Sequence, residues 1–447
     1  MKQLLLKYQH HYKDNFRLAY PVVISQLGHT LVALSDSIII GHTGKVPLAA
    51  VSLGNGLFSI FMVTGIGMSY GLTPLIAQEN GRGNKGSIGH LLSHSLIINM
   101  ILGLLLSAVI VIGSHHLYLL KQEGDVAEQA RPFLQYLGLS FIPLMLFLSF
   151  KQFAEGLGFT RQAMNISIIG NVINVIIGIT LVYGLFGLPR LGVIGVGIAT
   201  FTDRLIMGIT MAIYVLRAPR FKPYLKTFGF NALKAATAKK ILGIGTPVAL
   251  QYIFEVSAFS GAAIMVGWMG AADLAAHQIA LSLAAMTYMM ASGISAAAGI
   301  KSGNNFGKKD FKELRLSAIA SYHMVLVLMS VTAVIFILGK TLLPALYIQD
   351  RQVIDIAGRL LIIAAFFQLF DGTQVVGLGV LRGLGDVKMP TIITLFAYWV
   401  FGIPVGYLLG IKLGYGVEGV WWALLLGLLI ASVLLFLRFH FKTKKLQ

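Results

Sequence analysis

The sequence predicts an all-α integral membrane protein, with twelve transmembrane helices in two six-helix bundles related by a pseudo-two-fold axis along the membrane normal. Three observations predict it. Of 447 residues, 56% are apolar and only 12% charged, with a mean hydropathy of +0.80. A soluble chain carries about 45–50% apolar and about 25% charged residues, so a purely soluble protein is excluded. The apolar residues also fall into twelve long blocks. Finally, the second half of the chain repeats the first.

A membrane helix needs about 20 mainly apolar residues at a rise of 1.5 Å each. In order, the blocks are 17–41, 48–78, 88–113, 131–154, 161–184 and 190–217, then 240–267, 274–302, 314–339, 354–382, 388–412 and 417–441. Several exceed what a bilayer requires, which predicts tilt, kinks or protruding ends. Pro21, Pro74, Pro143, Pro247 and Pro404 lie inside these blocks, where a missing N–H bends or breaks a helix. The 50 glycines suit close helix packing. The domains expected are therefore an amino-terminal bundle over 1–217, a cytoplasmic linker over 218–239 and a carboxy-terminal bundle over 240–447. The first 17 residues are mixed and basic, without an apolar core or a small-residue cleavage site, so the first block is expected to be retained as a span.

The formal charge of +18 would point to nucleic acid in a soluble domain. Here it is a matter of topology. With both termini on one side, 26 Lys and Arg fall on that side and eight, Lys121 among them, on the other; Arg204 is left in mid-span. The positive-inside rule then places both termini in the cytoplasm. No compact basic domain exists to bind nucleic acid. The absence of cysteine excludes disulfides, thiolate metal sites and thiol catalysis.

The repeat is visible in glycines and prolines. Pro21-Val22 matches Pro247-Val248, Gly41 and Gly44 match Gly267 and Gly270, and Leu48-Ala49-Ala50 matches Leu274-Ala275-Ala276, all at an offset of 226. Further on, Gly156-Leu157-Gly158 meets Gly383-Leu384-Gly385 at 227. Six spans repeated in equal orientation describe two bundles with a passage between them, an architecture that serves transport by rocking one bundle against the other.

Of 17 acidic residues, four sit well inside spans: Asp36, Asp203, Glu255 and Asp371. A charged side chain at the bilayer centre costs at least ~2.5–3.5 kcal/mol, so such residues face a cavity, pair, or hold a proton. They either bind and release a coupling cation or are structural acids capped by hydroxyls and amides. Asp36 and Glu255 occupy counterpart spans but not the same repeat position, since 226 residues beyond Asp36 stands Ala262. Asp203 adjoins Arg204, although neighbours in a helix diverge by ~100°; charge compensation through a third group is its blander reading.

TPVALQYIFEV and GAADLAAHQIAL in the seventh and eighth spans, and FDGTQVVGLGVLRGLGD at the tenth, resemble the multidrug and toxic compound extrusion (MATE) family, most of all its NorM-type bacterial exporters. The resemblance covers essentially the whole chain. It implies a secondary antiporter of the bacterial inner membrane, not an enzyme and without a cofactor, in which Na⁺ or H⁺ enters as an organic cation such as a drug or dye leaves. It implies a coupling site at Glu255 and Asp371 with Tyr288 facing them, where Na⁺ would bind, and a second at Asp36, Asn174 and Thr200. Tyr288 could offer its ring to a cation or be an ordinary packed tyrosine. One turn after Asn174, where relatives often carry Asn or Asp, stands Gly178, which removes a ligand; proton binding needs only Asp36. Asn171, Gln278 and Gln374 are cavity candidates or buried amides bonded to a neighbouring helix, and His277 reads as structural. Membrane lipid and small organic cations are the partners expected, with one chain sufficient to act as a monomer.

The rival is a lipid-linked oligosaccharide flippase, whose pyrophosphate cargo needs positive charge; Arg204 reads as the one clear base in mid-membrane, against four acids. An ion channel is disfavoured because the acids form no ring or filter. Gly65-Ile66-Gly67 and Gly377-Leu378-Gly379 lie in apolar spans without a preceding strand, so they are not nucleotide loops, and no phosphate-binding loop sequence is present.

Overall fold

The computed structural model describes residues 2–120, 124–230 and 233–446. Lys121, counted above, and residues 231 and 232 of the linker lie outside the described residues. Among the described residues there are no strands, and twelve helices are long and apolar enough to cross a membrane. We number them α1 (Lys2–Gly41), α2 (Lys45–Gly81), α3 (Lys85–Gly113), α4 (Gly124–Gly156), α5 (Arg161–Tyr183), α6 (Val193–Arg217), α7 (Ala235–Gly267), α8 (Ala271–Lys308), α9 (Phe311–Leu338), α10 (Arg351–Gly383), α11 (Lys388–Lys412) and α12 (Gly416–Lys444). Each contains one of the predicted blocks almost entirely, and most run beyond it into polar ends. Side chains such as Leu105, Ile112, Val327 and Leu338 stay exposed on these helices, as lipid-facing surface must.

The prolines act where their missing N–H matters. Pro21 and Pro247 lie inside unbroken helices. Pro74 and Pro404 instead stand in the first turn of a segment that restarts after a break, at 70–72 and at 396–402. Over 396–402 the chain widens into a π-helical turn, a form that often marks functional sites.

The chain divides into two compact units. One runs from Ile24 to Ala249; the other comprises the chain before and after it, with inner ends at Val23 and Leu250. In the first unit the core gathers Phe58, Phe133, Phe141, Phe147 and Phe153, with the Phe58 and Phe141 rings 4.6 Å apart. The linker is docked here. Phe221 is fully buried against Phe153, Phe159 and Tyr214, and the Lys234 N–H donates to His94 Nε2 at 2.8 Å.

The second unit packs around small residues. Its most extensive helix contact joins α8 and α10, where a Cβ on Gly299 would lie 2.9 Å from the Gly379 carbonyl oxygen. Two backbones this close tolerate only glycine between them. The start of α1 belongs to this unit because it is bonded to α9: Asn15 donates to the Ser317 carbonyl at 2.9 Å and to Ser321 Oγ at 2.8 Å. Tyr12 and His323 are joined at 2.9 Å, and Lys301 of α8 pairs with Asp14 at 2.7 Å.

Candidate functional site

In the first unit α1 and α5 lie side by side, held by a Ser25–Ser167 hydrogen bond of 3.1 Å and by the Tyr183 hydroxyl on the Ile39 carbonyl at 2.8 Å. This brings Asp36 of α1 to Asn174 of α5 and Thr200 of α6. Asp36 is only 4% exposed. Thr200 Oγ1 donates to its Oδ2 at 3.5 Å. With the amide oriented to satisfy both of its ends, Asn174 donates to Asp36 Oδ1 at 3.2 Å and accepts from the Thr200 N–H at 3.3 Å. The three residues singled out by resemblance thus form one cluster. Gly178 adjoins it, and a Cβ there would sit 3.6 Å from Ile39 Cδ1, an ordinary van der Waals contact.

Beside this cluster a groove of about 500 Å³ opens between α1 and α5. Leu27, Leu31, Val32 and Val175 make its wall, with Ser35 and Asn171 as polar points. Asn171 Oδ1 is buried without a hydrogen-bond partner. Asp203 of α6 is buried against Gly170 of α5, and its Oδ1 likewise has no partner.

In the second unit Glu255 of α7 and Asp371 of α10 are buried and act electrostatically on each other. Tyr288 of α8 is within reach of both charges. Sequence reasoning missed three further members. Tyr252, one turn before Glu255, shares hydrogen bonds with Tyr288 and with Arg382, and Arg382 also acts on Glu255. Tyr398, on the π-helical turn of α11, donates to Gln374 Oε1 at 3.1 Å. The widened turn that places Tyr398 has no signature in the sequence. Arg382 was open to inspection, because it stands in the repeat where the first half carries Glu155.

The remaining candidates divide. Gln374 is fully buried and bonded to Tyr398, whereas Gln278 is exposed on α8. His277 accepts at Nδ1 from the Trp421 indole N–H at 3.1 Å; because indole only donates, the imidazole is neutral with its proton on Nε2, a packing role. Arg204 is not the only base in the membrane. Lys151 is buried 3.9 Å from an equally buried Glu155 on α4, and Arg382 reaches the Glu255 cluster. Glu155 escaped the count of buried acids because the predicted span ended one residue before it. Among the described residues no three His, Cys, Asp or Glu cluster as metal ligands. A cation held by either pair of acids must therefore complete its shell with hydroxyl, amide or carbonyl oxygens or water.

Carboxylates buried in membrane-spanning helices among hydroxyl and amide neighbours are what a membrane transporter carries. Its family follows from comparison. The MatE family model matches residues 21–180 and again 247–408, and the chain belongs to the MatE family. The two matches begin at Pro21 and Pro247, the register of the internal repeat. The multidrug resistance protein MdtK of Yersinia pseudotuberculosis is 34% identical over 436 residues, covering 96% of this chain and 95% of the relative. MdtK of Edwardsiella ictaluri is 32% identical over 437 residues, covering 97% and 96%. Among solved structures, an outward-facing multidrug resistance MATE transporter superposes with a TM-score of 0.90 at 19% identity, covering 100% of this chain and 99% of that one. A transporter from Pyrococcus furiosus described as having a binding pocket of reverse polarity superposes at 0.87 with 20% identity, covering 100% and 99%.

Proposed function

We propose that the chain is a secondary multidrug exporter that moves organic cations out of a bacterial cell through the inner membrane while one Na⁺ or H⁺ enters. The observation that carries this reading is the pair of acids in each unit, Asp36 with Asp203 and Glu255 with Asp371, buried within spanning helices, with Arg204 acting on both acids of the first pair and Arg382 on Glu255 of the second. Each site is one positive charge short when its acids are ionised, so a monovalent cation completes it. Relatives named for multidrug resistance support the direction and class of cargo. The fold alone does not choose the cargo, because a transporter described by reverse pocket polarity shares it; the buried acids do.

Coupling follows from competition. A cation on the carboxylates removes the charge that attracts an organic cation, whose rings would lie in the apolar groove beside Asp36, with Asn171 as a hydrogen-bonding point. Glu255, Asp371 and Tyr288 form the second coupling site, where Tyr288 gives a π-face to the ion or drug, with Gln374 beside it through Tyr398. Export of a monovalent cation against an inside-negative potential costs about 2.3 kcal/mol per 100 mV, and exchange for one entering cation cancels that cost. The two units would rock to expose these sites alternately, in a monomer with both termini cytoplasmic.

Ethidium efflux from proteoliposomes, with Na⁺ and pH gradients imposed separately, tests the reading. Export driven by one gradient is expected. Silence under both, in correctly inserted protein, would replace the antiporter with a lipid-linked oligosaccharide flippase.

A further inference from the structure

Three ionisable groups of the first unit's spanning helices act on one another electrostatically. The charges acting on Asp36 are Arg204 and Asp203, the charge acting on Asp203 is Arg204, and Arg204 feels both acids. Yet among the described residues no ion pair joins the guanidinium to either carboxylate. Arg204 instead donates from Nη1 to Ser140 Oγ on α4 at 2.6 Å, and its Cζ lies 4.6 Å from the centre of the Phe58 ring on α2. Asp203 keeps Oδ1 buried without a hydrogen-bond partner, and Asp36 is bonded only by the neutral groups of Thr200 and Asn174.

This arrangement is unusual for a half-buried arginine beside two buried acids. Carboxylates in a low-dielectric interior attract a guanidinium strongly and bind it in two parallel hydrogen bonds. A hydroxyl and an aromatic face are weaker partners, and they hold the cation beside the acids without consuming them. Two acids and one base leave the cluster one positive charge short, which is the charge a bound coupling ion supplies. Once that ion leaves, the side chain best able to compensate an exposed carboxylate is Arg204, on a long flexible stem one residue from Asp203.

Resting on the antiport reading, we propose that Arg204 is a tethered counter-cation of the first unit's coupling site. It is held on Ser140 and Phe58 while the coupling ion occupies Asp36, and it is drawn onto the carboxylates when the ion is released. Arg204 then competes with the ion, weakening its binding, and neutralises the empty site so that the unit returns without trapping the ion. It is a positioning residue acting through Asp36, not a group that touches the drug.

The test measures, in proteoliposomes, the half-saturating concentration of the driving ion and the maximal rate of ethidium efflux. Arg204→Gln is expected to lower the half-saturating concentration by about tenfold or more, as removal of a neighbouring positive charge that competes for the carboxylates does, while the maximal rate falls because release is slowed. Arg204→Lys retains the charge and restores both toward the parent values. Ser140→Ala frees the guanidinium without removing it and raises the half-saturating concentration. If Arg204→Gln changes neither quantity, or lowers the rate with half-saturation unmoved, the residue is structural and the proposal falls. Should Arg204→Gln fail to insert, Ser140→Ala decides, and an unmoved half-saturation there overturns the proposal. A parent protein that exports dye under neither gradient sinks the antiport reading instead, before any variant is compared.

Discussion

Asp371 is a carboxylate buried on a helix that also packs tightly, and among the described residues no cation is within ion-pair distance of it. An acid in that position destabilises the bundle unless it does something the bundle needs. Its charge acts on Glu255 across α7 and α10; under the antiport proposal the two would take up a cation as a pair, neither sufficient alone. Asp371→Asn is close in volume and keeps the hydrogen-bonding capacity, but it loses the charge that attracts an ion. We expect gradient-driven ethidium efflux to drop by more than about tenfold, with normal insertion and normal elution in size exclusion. Full efflux in this variant would remove Asp371 from the coupling site. At Gly178 no side-chain oxygen faces Asp36, so under the antiport proposal that site would draw its neutral oxygens from Asn174 and Thr200.

At the scale of elements, α8 and α10 are the second unit's spine. Glycines on the facing sides of both helices let the backbones approach, and Gly379 faces the Ser295 carbonyl while Gly299 faces Gly379. The Ser295 hydroxyl donates across the seam to the Val375 carbonyl at 2.6 Å. Lipid offers no hydrophobic drive to hold helices together, so close packing and such hydrogen bonds carry the association. Gly379→Val places two methyl groups in contact with backbone that cannot retreat, which costs at least about 1–3 kcal/mol. A lower thermal midpoint in detergent is the expected outcome; an unchanged midpoint would show that α8 and α10 are not this close. The π-helical turn of α11 has a comparable role, since it sets the register that brings Tyr398 to Gln374.

For the whole molecule, the contact units do not begin where the sequence repeat begins. α1 is divided at Val23 and α7 at Ala249, two residues after Pro21 and Pro247 and 226 residues apart. Each of these helices therefore belongs to one unit at its start and to the other beyond it. If transport is a motion of two rigid units, a bond within one unit should not impede it. The chain has no cysteine, so an Asn15→Cys, Ser317→Cys pair would form a single defined disulfide, at positions whose side chains are 3.2 Å apart. Oxidised protein is expected to export ethidium at the rate of the reduced form. Arrest on oxidation, reversed by reductant, would mean that the start of α1 slides along α9 during the cycle and that the units are not rigid.

The sequence by itself determined the membrane class, the twelve helices, the duplication and the four acids inside the first-drawn spans, because each rests on a local or periodic quantity: hydropathy over about 20 residues, or an offset between like residues. Resemblance added Tyr288, Asn174 and Thr200; the last two adjoin Asp36, and Tyr288 is within electrostatic reach of Glu255 and Asp371. What only the tertiary structure decided was which groups share a site. Arg382 of α10 and Tyr398 of α11 join Glu255 from other helices, Tyr252 from the preceding turn of its own, and the buried Lys151–Glu155 pair sits at the very end of a span. Hydropathy averages over a turn and assigns a lone base near a helix end to the loop, whereas burial depends on what neighbouring helices place around it. The placement of Arg204 on Ser140 and Phe58, beside two carboxylates it does not touch, is of the same kind: three helices fix it, and no spacing along one of them could have disclosed it.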